Sequence, residues 1–481
     1  MNSSKQSRSV RQEKSCNKHL LRELLAWALP EGELFDASEF HGNIKWQPEQ
    51  LLAQALLWAW QEARHITDAF EQTRDVCDEL GLNETIVTYT AFMNALTRYA
   101  EVLATKLKER YWQLAEEVGG EQFRTHGWVV MGFDGSRITA PRTVSNEQAF
   151  CAPNYGKGKR SRYGKKKSKG LRRKRNKAQK TQPQAPQVWI TMMWHVGLRL
   201  PWTWKLGPSN SSERDHVKQM LRQEPFPNDT LFCGDAGFTG YPLWSLLLES
   251  GHEFLIRVGS NVSLLSEHAD VKQSGDGTVL CWPKGRMDSG DPPLRLRLVQ
   301  VKVGKTDMWM LTSVQSKRKL SRKRIAEIYA LRWGIEVEFR GLKQTIDKHM
   351  LRCRNSNRLL TELDWSIRAM GFAELFALRE QLSLARKTSD SAYTPKHRSL
   401  ARTMRALRKC MRQLHKPFDD ENNLRTWLSE ALVQQYKNRT DKRARYKRKN
   451  PDKNPLGEPT VNVLTSAQRQ KLRLLTHETA G

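Results

Sequence analysis

The sequence predicts an α/β protein: a mixed sheet carrying the chemistry, flanked by helical regions on both sides. Three observations predict it. Apolar residues at helical spacing fill the chain before Gly127, and β-rich runs replace them there. From Gly127 to Gly259 strands and helices alternate, the layout of an α/β domain. From Ser321 onward the helical spacing returns.

Taken in chain order, residues 1–17 are polar and are expected to be disordered. Residues 18–125 read as helices. "KHLLRELLAWALP" has apolar residues at helical spacing and stops at Pro30, and Pro48 opens the next helix. "LNETIVTYTAFMNALTRYAEVLATKLKERYWQLAEEV" predicts two helices in succession. This region is expected to be a DNA-binding domain. A helix–turn–helix between Asn83 and Tyr99 is only weakly signalled, and a plain helical bundle fits the same pattern.

Residues 126–258 form the first part of the predicted core. "WVVMGFDGSRIT" is a strand, "PQVWITMMWHVGLRLPWTWKLG" two more, and Ser211 or Ser212 caps a short helix. "DTLFCGDAGFTGYPLWSLLLESGHEFLIRVG" reads strand, loop, helix, strand. The order fits a ribonuclease-H-like mixed sheet. Residues 259–314 are short strands and turns, read as a β-rich insertion. Residues 315–358 complete the core with a helix that starts at Ser321 and runs on through "YALRWGIEVEFRGLKQ". Residues 359–435 are helical and basic, and 436–481 read as a basic, largely disordered tail.

Charge names the class of partner. The chain carries 81 Lys and Arg against 51 Asp and Glu, a net +30. Such an excess points to a polyanion, nucleic acid first. Fourteen of the 24 residues from Lys157 to Lys180 are Lys or Arg, so that run cannot pack and is expected to be a disordered loop lying on phosphate. No stretch approaches the roughly 20 apolar residues that span a bilayer, and the N-terminus lacks a secretory signal. The seven scattered cysteines form no CxxC pair, and the histidines form no HxxxH pair, so neither a disulfide framework nor a zinc site is expected. A reducing compartment such as the cytoplasm is the expectation.

Three acids stand out by context. Asp134 in "MGFDGS" and Asp235 in "LFCGDAGFTG" each follow an apolar strand, where α/β sheets place ligands. Glu336 lies on the helix from Tyr329 to Gln344. At about 100° per residue, Tyr329, Arg332, Glu336 and Lys343 fall within roughly 60° of one another, and Glu338 points away. Taken singly, each acid has a plain structural reading as a turn residue, a cap or a solvated face. Together, in a basic chain, they suit phosphodiester chemistry. Two Mg²⁺ ions serve the attacking and leaving oxygens of an in-line displacement, and Mg²⁺ takes carboxylate oxygen.

The spacing Y-x2-R-x3-E-x6-K at Tyr329, Arg332, Glu336 and Lys343 resembles the signature of bacterial insertion-sequence transposases of the DDE class, in the subgroup that cuts and pastes through a hairpin. "FDGS" and "GDAGFTGYPLW" resemble that family's two Asp motifs, and the β-rich insertion is a further family feature. The resemblance covers roughly Gly127 to Arg358. It implies that Asp134, Asp235 and Glu336 are the catalytic triad and bind two divalent metal ions, Mg²⁺ or alternatively Mn²⁺. It implies that Tyr329, Arg332 and Lys343 contact the phosphates of the transposon end. A Trp of the insertion stacks on a flipped base in this subgroup; Trp309 is the candidate here, with Trp282 the alternative. The implied partners are double-stranded DNA, both transposon ends and target, bound by a homodimer and away from any membrane. Two other readings stay open: a ribonuclease-H-fold nuclease without strand transfer, and a non-catalytic DNA-binding protein derived from a transposase.

Overall fold

The computed structural model describes residues 16–151, 185–282, 292–304, 306–389, 393–417, 421–433 and 456–478. The basic run from 157 to 180 lies outside the described residues, as do residues 1–15. The chain forms two compact units, one of Met1–Val118 with Thr361–Val433 and the other of Gly119–Leu360 with Gln434–Gly481.

The first unit is helical. Its N-terminal part holds α1 (Asn17–Ala28), α2 (Pro48–Trp60), α3 (Ile66–Leu80), α4 (Tyr89–Arg98) and α5 (Ala100–Gly119). Pro48 at the start of α2 has no amide hydrogen to lose there. α2 is apolar nearly all round, and almost every residue in it is buried.

The second unit follows in chain order as β1 (Val129–Thr139), α6 (Val144–Phe150), β2 (Gln187–His195), β3 (Leu200–Gly207), α7 (Glu213–Gln223), β4 (Thr230–Gly234), α8 (Tyr241–Glu249) and β5 (Glu253–Val258). It continues with β6 (Ser263–Ser266), β7 (Asp276–Cys281), β8 (Leu294–Val303), β9 (Thr306–Thr312), α9 (Arg322–Arg332) and α10 (Gly334–Gln344). The chain then returns to the first unit through α11 (Ser356–Thr388), α12 (Leu400–Arg412) and α13 (Leu424–Ser429). There the indole of Trp60 on α2 donates to the carbonyl of Ala369 on α11 at 2.8 Å, so the two chain segments of that unit share one core. The final elements, β10 (Thr460–Val463) and α14 (Ser466–Glu478), belong to the second unit.

One ten-stranded sheet organises the second unit, in the order β10-β6-β7-β8-β9-β5-β4-β1-β2-β3. β1, β4 and β5 run parallel side by side, and β2 and β3 add antiparallel strands beyond β1. All five residues of β4 are buried, as a central parallel strand requires. The strands of residues 259–314 do not stand apart as an inserted body. β9 pairs with β5, and β8, β7 and β6 extend the same sheet outward.

Three details depart from the sequence reading. β1 does not end at Asp134 but runs five residues further, because β2 pairs with it antiparallel as far as Thr139. The helix expected from Ser321 through Gln344 is two helices, broken at Trp333. A Cβ at Gly334 would stand 2.0 Å from Cη2 of Trp194, so the chain presses directly on β2 there. That close approach, with glycine's weak helix preference, is where the ladder breaks. Residues 456–478 of the expected disordered tail form β10, paired parallel with β6, and α14.

No helix among the described residues is long and apolar enough to cross a membrane. All seven cysteines are free.

Candidate active site

The parallel pairing of β1 with β4 matches Gly132 to Cys233. Asp134 stands two residues further along β1 and Asp235 two residues further along the chain, just past β4, so the register brings both acids to the same level of the sheet. β4 stops at Gly234, and Asp235 turns the chain: its Oδ1 accepts from the amide of Gly237 at 2.8 Å. Asp134 Oδ1 accepts from the amide of Gly135 at 2.8 Å. Between Gly132 and Thr139, where Met350 bridges it, the edge of β1 that faced β4 has no strand partner, the kind of place where parallel sheets bind ligands. Burial is the main cause that raises the Asp134 carboxyl to about 6, and the charges of Asp235 and Glu336 add to it. The Gly135 amide and Arg332 pull the other way.

Arg332, the last residue of α9, is only 6% exposed. Its stem packs over Gly132 of β1, where a Cβ would meet Arg332 Cγ at 3.5 Å. Its head lies 3.9 Å from Asp134 Oδ2 through Nη1 and 3.5 Å from Glu336 Oε1 through Nη2. The guanidinium carbon also sits 5.3 Å from the centre of the Tyr329 ring. Nε and Nη1 have no hydrogen-bond partner. A buried guanidinium with unspent donors is costly unless an anion satisfies it.

Glu336 lies in the first turn of α10, where the helix dipole favours an acid. Burial raises its carboxyl, with Arg332 opposing. Glu338 is 4% exposed and faces inward with Ile335, Phe339 and Leu342. The two glutamates therefore differ in setting: Glu336 lies beside Arg332, and Glu338 is buried. Lys343, the last residue but one of α10, donates from Nζ to Ser136 Oγ at 2.7 Å. Ser136 shares a face of β1 with Asp134, two residues away. Arg332 and Lys343 thus stand along that face at its two ends. Burial lowers the Lys343 amine and raises the Tyr329 phenol.

Tyr329, Arg332, Glu336, Lys343, Asp134 and Asp235 are therefore brought to one end of the sheet. Among the described residues no three His, Cys, Asp or Glu side chains are drawn together closely enough to grip one metal ion. The donor set nonetheless suits a hard cation, being carboxylate oxygen throughout. Fewer than three protein ligands per ion leaves positions for water and phosphate, as Mg²⁺ requires.

Trp309 is a buried strand residue. It lies in β9 between β5 and β8, opposite Val258 and Gln300, and is 5% exposed. Its place in an apolar strand is that of a core position. Trp282 adjoins residues that lie outside the description, as do Lys166 and its neighbours.

Two residues passed unremarked in the sequence. Trp333, between Arg332 and Glu336, is 56% exposed, and Val337 one turn on is exposed too. An aromatic next to the signature was the available signal, masked by the assumption of one unbroken helix. Glu213 opens α7 and has the look of an ordinary first-turn acid, yet its carboxylate lies against Gly135.

Comparison with known proteins follows the same region. A curated relative named "Putative transposase y4zB", from Sinorhizobium fredii (strain NBRC 101917 / NGR234), is 28% identical over 149 residues, 30% of this chain. The chain spans 42% of that relative's length. Among solved structures, a piggyBac transposase synaptic complex with hairpin DNA aligns over 89% of this chain and 88% of its own, with 13% identity and a TM-score of 0.36. The family model described as "Transposase DDE domain" matches residues 130–370, half of the chain and the whole of the site from Asp134 to Lys343, and the protein belongs to that family.

Proposed function

We propose that the protein is a DNA transposase whose ribonuclease-H-like core cuts and joins phosphodiesters with Asp134, Asp235 and Glu336 as its metal-binding carboxylates. The observation that carries the reading is Arg332, a buried guanidinium set between Asp134 and Glu336 with two nitrogens left unbonded. Three acids around one base leave an excess of negative charge, which suits divalent cations. The unbonded nitrogens suit a phosphate oxygen.

The metal ions would be held by Asp134, Asp235 and Glu336, two Mg²⁺ in the reading offered here. Bound there, they supply charge stabilisation at the attacking and leaving oxygens and a more acidic attacking water or hydroxyl. The chain's own residues do the positioning. Arg332 offers its free Nε and Nη1 to the phosphate beside the scissile bond. Lys343, tethered by Ser136, holds a second phosphate as a point charge. Tyr329, packed under Arg332, limits where the guanidinium can swing. The net charge of +30 draws the DNA backbone to the protein independently of its sequence.

Terminal inverted repeats as the binding sites, end hairpins as intermediates and a homodimer bridging two ends are further parts of this reading. They rest on the spacing of the Tyr329–Lys343 signature. The test is cleavage and joining of DNA carrying the element's own termini, with Mg²⁺, by the wild type and by Asp134→Ala, Asp235→Ala and Glu336→Ala. Metal-dependent joined products, lost in all three variants, are expected. Cleavage without any joined product would leave a nuclease in place of a transposase. Activity surviving in all three variants would remove the triad.

A further inference from the structure

We infer that Glu213 is a fourth carboxylate of the metal site, reaching Asp134 and Asp235 past Gly135 from the face of the sheet opposite Arg332. The inference rests on the metal-binding reading of Asp134, Asp235 and Glu336 given above.

The two faces of β1 are fixed by contacts at two glycines of opposite parity. At Gly132 an added Cβ would meet Arg332, on α9. At Gly135 it would meet Glu213, on α7: 2.3 Å from Oε1, 2.7 Å from the carboxyl carbon and 2.9 Å from Cγ. Neighbouring strand residues face opposite ways, so α7 and α9 cover opposite faces. The Glu213 carboxylate fills the volume that any side chain at position 135 would need. That volume adjoins Asp134, at the stretch where β1 has lost its β4 neighbour and that edge has no strand partner. There an acid from either face reaches the same end of the sheet.

The placement is built in. Ser212 caps α7, its Oγ accepting from the amide of Asp215 at 3.3 Å, which fixes Glu213 as the first helical residue. A purely structural glutamate here would pair with a base. Among the described residues Glu213 has no hydrogen bond and no ion pair, although two arginines stand nearby. Arg137 lies on the face of Trp189, 4.1 Å from the ring centre, and Arg214 donates to the carbonyl of Thr239 at 2.9 Å. The acid's surroundings act against its charge: burial first, then Asp134 and Asp235, raise its carboxyl to about 7, with Arg137 and Arg214 opposing. A half-buried, unpaired carboxylate beside two more acids calls for a cation. The second, separate pointer is Arg332. It is more than nine-tenths buried, faces the same acids from the other side, and has unbonded nitrogens that ask for an anion. Cation and anion sites on the two sides of Asp134 are what a metal-bound phosphate would occupy.

The experiment titrates Mn²⁺ into the full chain, following bound metal by electron paramagnetic resonance, with melting temperatures in EDTA and in excess Mn²⁺. Wild type, Asp134→Asn, Glu213→Gln and Glu213→Asp are compared. Glu213→Gln is expected to weaken Mn²⁺ binding about tenfold or more, with a melting temperature in EDTA equal to or above wild type. A wild-type Mn²⁺ isotherm in Glu213→Gln, with binding lost in Asp134→Asn, overturns the inference and leaves the triad standing. Identical isotherms for wild type and Asp134→Asn remove the triad reading and the inference with it. If Glu213→Gln does not fold, Glu213→Asp decides: shortened by one methylene, it should fold and bind Mn²⁺ more weakly, and unchanged affinity overturns the inference.

Discussion

The guanidinium of Arg332 lies 3.5 Å from Glu336 Oε1 and reaches it across a helix break, since α9 ends at Arg332 and α10 begins at Gly334. The four-residue spacing would bring the pair together on any continuous helix. The break does more: it turns Arg332 inward over β1, where it also meets Asp134, while Glu336, half-buried, stays in the first turn of α10. One base is thereby shared by acids from two different elements.

Arg332→Lys is expected to be far from conservative. Lysine keeps the charge but lacks the planar fork that spans Asp134, Glu336 and a phosphate. DNA cleavage in single-turnover experiments should fall about 10²–10³-fold, the scale for loss of one fixed electrostatic donor at a reacting centre. A rate within threefold of wild type would mean that the guanidinium is only a structural ion pair.

Asp134→Asn should stabilise the metal-free protein. Its carboxyl is raised from 3.8 to about 6, so at pH 8 the fold works to keep the charge in place. A raised carboxyl gives stability as pH falls through the folded value and takes it away above. Replacing the acid by its neutral amide removes that penalty, about 1–3 kcal/mol and a few degrees in melting temperature. The comparison is made at pH 8 in EDTA; a lower melting temperature in the variant would contradict it. In excess Mn²⁺ the order should reverse, because the wild type alone gains from bound metal.

Much of this site was legible in the sequence because its parts are local. The signature at Tyr329, Arg332, Glu336 and Lys343 is a helical spacing, and "FDGS" and "GDAGF" are strand-to-turn motifs. A one-residue break left the side-chain bearings close to the helical spacing: Glu336 lies beside Arg332, and Glu338 is buried. What depended on distant pairing was not legible. Asp134 proved to lie within β1 because β2 extends the pairing, which no local pattern announces. That the strands of residues 259–314 extend the core sheet was not legible, because their partners, β5 and one another, are set by register across the sheet. That Trp309 is buried and Trp333 exposed was not legible for the same reason. Burial of an isolated Trp is decided by what packs on it, and the sequence does not state that.

Trp333 and Trp309 should respond in opposite ways to truncation. Trp333→Ala removes an exposed ring and should change stability by no more than about 0.5 kcal/mol. If that ring stacks on a base beside the cleavage site, affinity for end DNA should fall by about 1–3 kcal/mol. Trp309→Ala should instead cost about 3–5 kcal/mol of stability, the scale for emptying a packed aromatic position. Fluorescence anisotropy on labelled end DNA and denaturant melts read the two effects separately. A Trp309 variant that folds normally and loses DNA binding would restore it as the base-stacking residue.

His195 should make the second unit acid-sensitive. Its ring is fully buried against Phe123 and Trp202, and Nδ1 accepts from the amide of Leu198 at 3.1 Å. Burial lowers it from 6.5 to about 3, so the native ring stays neutral where the unfolded ring takes a proton. More protons on the unfolded chain means that stability falls as pH drops below 6.5, down to about 3. Between pH 7 and pH 5 the loss from this residue is about 2 kcal/mol. His195→Asn keeps an acceptor for Leu198 without the titration, so the difference in pH slope between wild type and variant isolates the effect. Parallel slopes would show that the buried ring titrates normally.

Gly334 is expected to be the least replaceable residue of the signature helix that carries no chemistry. A methyl group there would stand 2.0 Å from the Trp194 ring, too close for any side chain, and Trp194 is itself fully buried in β2. Gly334→Ala should cost about 1–3 kcal/mol through overpacking, and it should push the start of α10, with Glu336, away from the sheet. Cleavage activity and Mn²⁺ affinity should therefore fall together, beyond what the stability loss explains. Trp194→Leu leaves room for the methyl group, so the double variant should recover part of the loss. A double-mutant cycle reads it as a favourable coupling of about 0.5–3 kcal/mol. Strict additivity would mean that Gly334 is needed for its backbone conformation, and that contact with Trp194 does not position Glu336.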